Sequence, residues 1–146
     1  EHYPYWRQEL HLTEMTYGAF GENFTTCGLL EDEVCIGDVF KAGETIVQVS
    51  QPRQPCWKIE RRWGIKDFVV RMKQTGRTGW YFRVLQEGYA AAGNIFALTE
   101  RPFPQYTVAI AYGIMRNRNI HTKEAQALAQ CPALSPRWQE NLRSVK

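Results

Sequence analysis

The chain has 146 residues, 44% of them hydrophobic and 23% charged, a globular composition with apolar material for one good core and an appendage. Its formal charge of +3 is compatible with an anionic ligand, but Lys and Arg form no concentrated stripe with interleaved aromatics, so specific nucleic-acid binding is not expected. No apolar run reaches bilayer length and Glu1-His2-Tyr3-Pro4 does not resemble a signal peptide, which makes a cytoplasmic setting without membrane attachment the expectation.

From the N-terminus, Pro4 to Leu12 is predicted helical, with Trp6 and Leu10 four residues apart and Pro4 near the start. Gly18 and Gly21 bracket a turn, and Glu22 to Thr26 follows as an extended segment. Gly28 to Glu33 reads as an acidic turn and Ile36-Gly37-Asp38 as another, leading into a strand at Val39-Phe40. Thr45 to Ser50 is a second strand, and short strands between Gly and Asp turns suggest a barrel or a compact sheet.

The run Pro52-Arg53-Gln54-Pro55-Cys56 is the most informative in the chain. Its prolines fix φ and donate no N–H, so it cannot lie inside a sheet or a helix. Trp57 to Trp63 reads as a helix closed by Gly64, which places Cys56 in that helix's first turn. Free N–H groups there, with Arg53 and Lys58, favour the thiolate that a metal ligand or nucleophile needs. Ile59 and Trp63 share the same helical face, so a packed structural thiol is the alternative. Cys27, Cys35, Cys56 and Cys131 form no C-x-x-C pair and are read as reduced. They give no zinc signature with His2, His11 or His121. No Walker or dinucleotide glycine loop is present.

Ile65 to Gln74 is predicted as a helix with Phe68, Val69 and Met72 on one side, broken by Thr75 to Gly79. Trp80 to Leu85 is a strand whose pleat puts Tyr81, Arg83 and Leu85 on one face. There Arg83 either reaches into a site or simply snorkels or pairs with an acid. Ile95 to Leu98 is another strand, and Arg101-Pro102-Phe103-Pro104 marks a boundary. Beyond it Thr107, Thr122 and Ser135-Pro136 signal three helix starts, with Val108, Tyr112, Met115, Leu128, Leu134, Trp138 and Leu142 as the apolar side. About forty residues are marginal as an independent bundle, so docking is expected.

Four ordered segments carry a family resemblance. They are Gly18-Ala19-Phe20-Gly21-Glu22-Asn23-Phe24-Thr25-Thr26, Val34-Cys35-Ile36-Gly37-Asp38, Val49 to Lys58 with its Pro-Arg-Gln-Pro-Cys core, and Thr78-Gly79-Trp80-Tyr81-Phe82-Arg83-Val84-Leu85. In content and order they resemble a MOSC domain of the YiiM type, and Pro132-Ala133-Leu134-Ser135 resembles the helical segment that follows it. The resemblance implies a mainly β barrel with peripheral helices over residues 1–101, followed by a three-helix domain over residues 102–146. Such domains begin further upstream, with additional strands and a His-Gly-Gly motif, so the barrel of this chain is expected to be incomplete.

The same resemblance implies binding of molybdenum cofactor, a pterin dithiolene bearing a phosphate, with Cys56 as the molybdenum ligand. It implies an oxidoreductase that reduces N-hydroxylated compounds such as hydroxylaminopurines, a detoxification of base analogues. Lys58 would supply a proton, and Glu22 would orient substrate or relay protons, unless it only holds its loop. Arg53, Thr78 and Arg83 would meet the phosphate or pterin, although Thr78 also suits a turn, and Asn23 and Thr25 would line or support the loop. Partners would be a small N-hydroxylated substrate and an electron-supplying redox partner, with homodimerisation left open. A cofactor or persulfide carrier without turnover, and a non-catalytic interaction protein, are the competing readings.

Overall fold

The computed structural model describes residues 2–144. Its elements are α1 (His2–Leu10), β1 (Val39–Ala42), β2 (Thr45–Pro52), α2 (Lys58–Trp63), α3 (Phe68–Thr75), β3 (Trp80–Gln86), β4 (Phe96–Glu100), α4 (Val108–Arg116), α5 (Thr122–Ala129) and α6 (Pro136–Arg143). They fall into two compact units: Glu1–Leu30 with Gln54–Arg77, and Glu31–Arg53 with Thr78–Lys146.

The first unit is helical. Tyr3 and Trp6 of α1, Met15, Ala19, Ile59 of α2, and Phe68 and Met72 of α3 make its core, with Trp6 edge-on to Phe68 at 5.0 Å. Of the apolar positions read from the sequence, Trp6, Phe68 and Met72 are buried, and Leu10 and Val69 are partly buried against them. Gly64, at φ 65°, ends α2 in the left-handed conformation that glycine adopts without steric cost. Helix α3 begins at Phe68 rather than Ile65 because Asp67 is itself left-handed, at φ 64°, which interrupts any helix continuing through it. Residues 22–26 are irregular loop rather than extended strand.

The second unit holds a four-stranded antiparallel sheet in the order β3-β2-β1-β4. Phe40 opposes Val47 and Leu98, and Val47 opposes Val84, so these residues share one face. The Phe82 and Phe96 rings, from the two edge strands, stack at 5.9 Å, and both lie within 6.3 Å of Phe40. Edge strands of a flat four-stranded sheet would lie about 14 Å apart, so this sheet is curled. The sheet is not closed into a barrel among the described residues, where an incomplete barrel was expected. Strands β3 and β4 are the two edges of the sheet and share no ladder, so it remains open.

The three helices expected beyond Pro102 all form, and they lie in the same unit as the sheet. Thr107 caps α4 by accepting from Ile110 N, and Ser135 caps α6 by accepting from Trp138 N. Thr122 is the first helical residue of α5 rather than its cap; His121 takes that place without a side-chain bond. Docking is built from backbone: Ile36 N donates to Tyr106 O at 2.8 Å, Val108 N to Val34 O at 2.8 Å and Ser135 N to Ser50 O at 3.0 Å. Ser135 Oγ also donates to Gln51 Oε1. Their predicted apolar residues are all buried.

Asp38 sits at the entrance to β1 with no exposed surface. Its carboxylate accepts from Cys35 N at 2.9 Å and, in a two-point clasp, from Arg101 Nε at 2.9 Å and Nη2 at 2.7 Å. Arg101 Nη2 also donates to Glu33 O at 2.9 Å. Removing one member of such a pair leaves the other without its counter-charge. Arg101 is exposed enough to turn to water, so the main loss in Asp38→Ala is the acceptor of Cys35 N, and stability should fall by about 2 kcal/mol, read as the urea midpoint shift of the purified protein. A shift below about 0.5 kcal/mol would show that the clasp is dispensable.

Candidate functional site

Pro52 closes β2 opposite Trp80, and Arg53 N donates to Gly79 O at 2.9 Å. Pro55 is buried, so the loop carrying the thiol is anchored at both prolines. Cys56 is exposed, whereas Cys35 and Cys131 are buried. Burial pushes both of those thiols up, helped at Cys35 by the charge of Asp38, which suits inert packed cysteines. Cys56 does not lie in the first turn of α2, as the sequence had suggested. Its carbonyl closes a tight turn with Ile59 N at 3.2 Å, and the first α-type bond runs from Arg61 N to Trp57 O at 3.1 Å. The helix thus starts at Lys58, with Trp57 as its N-cap.

Ile59 is buried and Trp63 donates Nε1 to Ala19 O at 3.2 Å, so the inward face of α2 is filled without Cys56. Exposure at a junction anchored by two buried prolines is the arrangement of an accessible thiol, not of a packing residue. Lys58 is exposed, with no ion-pair partner among the described residues.

Glu22 is the most heavily bonded carboxylate of the helical unit. It accepts from Tyr3 Oη, from Gly18 N at 2.7 Å, from Phe20 N at 3.1 Å and from Thr25 Oγ1 at 2.9 Å. Burial alone would raise its pKa, but the bonds from Tyr3, Gly18 and Thr25 outweigh that effect, and the carboxyl sits below its ordinary value. Tyr3 is pushed up to about 12, first by burial and then by its bond to Glu22. Glu22 thus organises the Gly18–Thr25 loop as an ion. Thr25 serves it as a donor, and Asn23 stands exposed on the same loop.

In the sheet unit, Thr78 is 3% exposed and Glu31 8%. Glu31 Oε1 accepts from Thr78 N at 3.0 Å and Gly79 N at 2.7 Å, so an internal carboxylate occupies the two adjacent amides. The backbone bond from Arg53 to Gly79 brings Arg53 to this turn. Arg83 is not brought there. It pairs with Gln48 across the ladder, donating Nη1 to Gln48 Oε1 at 3.1 Å, three residues along β3 from Trp80, or about 10 Å. Its partner is an amide rather than the acid considered from sequence.

Residues 1–96 match the family model described as MOSC domain. The chain belongs to the MOSC domain family. It is 41% identical over 146 residues to "Uncharacterized protein YflK" of Bacillus subtilis, spanning all of this chain and 66% of that protein. It is 38% identical over 137 residues to a protein of Gibberella moniliformis named "Reductase", across 92% of this chain and 24% of that one. The crystal structure of YiiM from Geobacillus stearothermophilus superposes with a TM-score of 0.93 at 41% identity, covering 97% of this chain and 72% of that one. The chain is thus a YiiM-type MOSC protein that spans less than two thirds of the length of these two curated relatives. No helix among the described residues is long and apolar enough to cross a membrane.

Three residues that matter to these surroundings were not singled out from sequence: Glu31, Arg101 and Trp57. Glu31 and Arg101 act through partners 47 and 63 positions away, which no local pattern reveals. The Glu22 network gives a pH test. A carboxyl held below its ordinary value of 4.5 contributes stability above that pH, and the contribution is lost as pH falls through the lower folded-state value. Urea unfolding of the parent should weaken over that acidic range more steeply than that of Glu22→Gln. Parallel curves would show that the bonds to Glu22 carry no net stabilisation.

Proposed function

We propose that this MOSC protein is a molybdenum-cofactor-dependent reductase of N-hydroxylated compounds, with Cys56 as the one protein ligand to the metal. The observation that carries the reading is the exposure of Cys56 at the end of the Pro52–Pro55 loop: Cys35 and Cys131 are buried, and Cys27, the other exposed thiol, has no such loop before it. The chemistry of the donor set agrees. No group of three or more His, Cys, Asp or Glu residues that could cage a metal exists among the described residues. A metal retained here must bring its own chelate, as a pterin dithiolene does, and a soft thiolate suits the remaining position. The kinship with a protein named "Reductase" supports the reaction class.

When bound, the cofactor would supply the two-electron reducing chemistry, with electrons delivered by a redox partner. The balance is R–NHOH plus two electrons and two protons giving R–NH2 and water: the N–O bond breaks and the oxygen leaves as water. In the helical unit, Cys56 would hold the metal and the exposed Lys58 ammonium would donate a proton to the departing oxygen. Glu22, already bonded to four donors, would act by fixing the loop that carries Asn23 and Thr25. In the sheet unit, the cation of Arg53 would suit the cofactor phosphate. Thr78 would contribute through its place in the turn, since its amide is committed to Glu31. Arg83, bonded to Gln48 further along β3, is assigned a lesser part.

An accessible thiol would also serve a persulfide carrier, so the test must separate the two. The whole protein, purified anaerobically, should contain molybdenum and pterin and reduce 6-N-hydroxylaminopurine with steady, donor-dependent turnover. Cys56→Ser should lose turnover to background while its Tm stays within a few degrees, since an exposed side chain contributes little to stability. Sulfane sulfur on Cys56 without turnover would favour the carrier, and full turnover in Cys56→Ser would contradict the ligand assignment.

A further inference from the structure

Glu31 bonds to two elements far from it in sequence. Its backbone carbonyl accepts from Ala109 N at 2.7 Å, in the first turn of α4, beside the bond from Val108 N to Val34 O. Its side chain is buried, and one carboxylate oxygen accepts from both Thr78 N and Gly79 N. A buried carboxylate is costly unless it is hydrogen-bonded, and one that holds two successive amides fixes the orientation of both peptide planes. The carbonyl of the next peptide, Gly79 O, receives Arg53 N at 2.9 Å. Pro52 has no N–H, so Arg53 supplies the donor that ties the end of β2 to this turn. Helix α4, Glu31, the Thr78–Gly79 turn and Arg53 thus form one line of bonds within the sheet unit.

We infer that Glu31 is a positioning residue for Arg53: by fixing the Thr78–Gly79 turn it sets where the Arg53 cation stands, and through its carbonyl it ties that placement to α4. What the cation meets, a phosphate, rests on the proposed function, but the placement can be measured without any ligand. Glu31 itself touches neither cofactor nor substrate. A carboxylate that served the fold alone would act on every function of the protein regardless of Arg53. A positioning residue loses its effect on ligand binding once the charge it positions is gone.

The experiment compares the parent with Glu31→Ala, Glu31→Gln, Arg53→Met and the double variant carrying Glu31→Ala and Arg53→Met, all as the whole protein. Without cofactor, hydrogen exchange of the Arg53 amide should quicken about tenfold in Glu31→Ala while amides within β1 keep the parent's rate. Glu31→Gln should restore most of the protection, because its amide oxygen still accepts. In anaerobically purified protein, release of pterin into buffer should quicken about tenfold in Arg53→Met and in Glu31→Ala, and no further in the double variant. Melting curves report folding, and if Glu31→Ala does not fold, Glu31→Asp, which keeps the charge but shortens its reach, takes its place with the same expectations. Unchanged exchange at Arg53, an equal rise within β1, or effects on pterin release that multiply in the double variant would each overturn the inference. A parent without pterin whose Arg53 amide still responds to Glu31 sustains the placement and removes the cofactor reading instead.

Discussion

A single carboxylate without exposure, that of Asp38, ties together the parts of the sheet unit that lie far apart in sequence. Its oxygens hold Cys35 N and the Arg101 guanidinium, while its carbonyl accepts from Val49 N at 2.9 Å. The turn before β1, the middle of β2 and the end of β4 thereby meet at one residue. A buried anion is costly unless it is paired and hydrogen-bonded, and here both conditions hold. The adjacent Gly37, at φ 88°, admits no side chain, since a Cβ there would stand 2.7 Å from the Phe103 ring. Strand β2 held in this way leads directly into the Pro52–Cys56 loop.

Much of the fold was legible because its signals are local. Gly64 closing α2, Thr107 and Ser135 capping α4 and α6, and the apolar spacing of Trp6, Phe68 and Met72 each follow from the conformational preference of one residue or from one periodicity. The exceptions also have local causes. Asp67 entered a left-handed conformation that its type tolerates without requiring, which delayed α3. The strand order was not legible, since it depends on which strands share a ladder, and no pattern within β3 or β4 encodes that both are edges.

The candidate site divides in the same way. The Pro-Arg-Gln-Pro-Cys run announced a stiff junction and an unusual thiol, and the structure adds the exposure that separates Cys56 from Cys35 and Cys131. Glu22 was visible as a loop carboxylate. Its four donors show an ion engaged in holding the Gly18–Thr25 loop, something that Gly-Glu-Asn as letters does not specify. Thr78 was read as a contact for phosphate or pterin or as a turn residue, and its amide bonds to Glu31, a partner from the acidic turn that spacing could not supply. Trp57 went unremarked as a helix residue. Only its exposure distinguishes it from the tryptophans that build cores.

The central claim is that the Cys56 sulfur is a ligand of the bound metal. X-ray absorption at the molybdenum edge, on the anaerobically purified whole protein, counts sulfur neighbours directly and needs neither substrate nor electron donor. The account predicts that Cys56→Ser, reloaded with cofactor, shows one sulfur neighbour fewer than the parent. An unchanged sulfur count in the variant would contradict it.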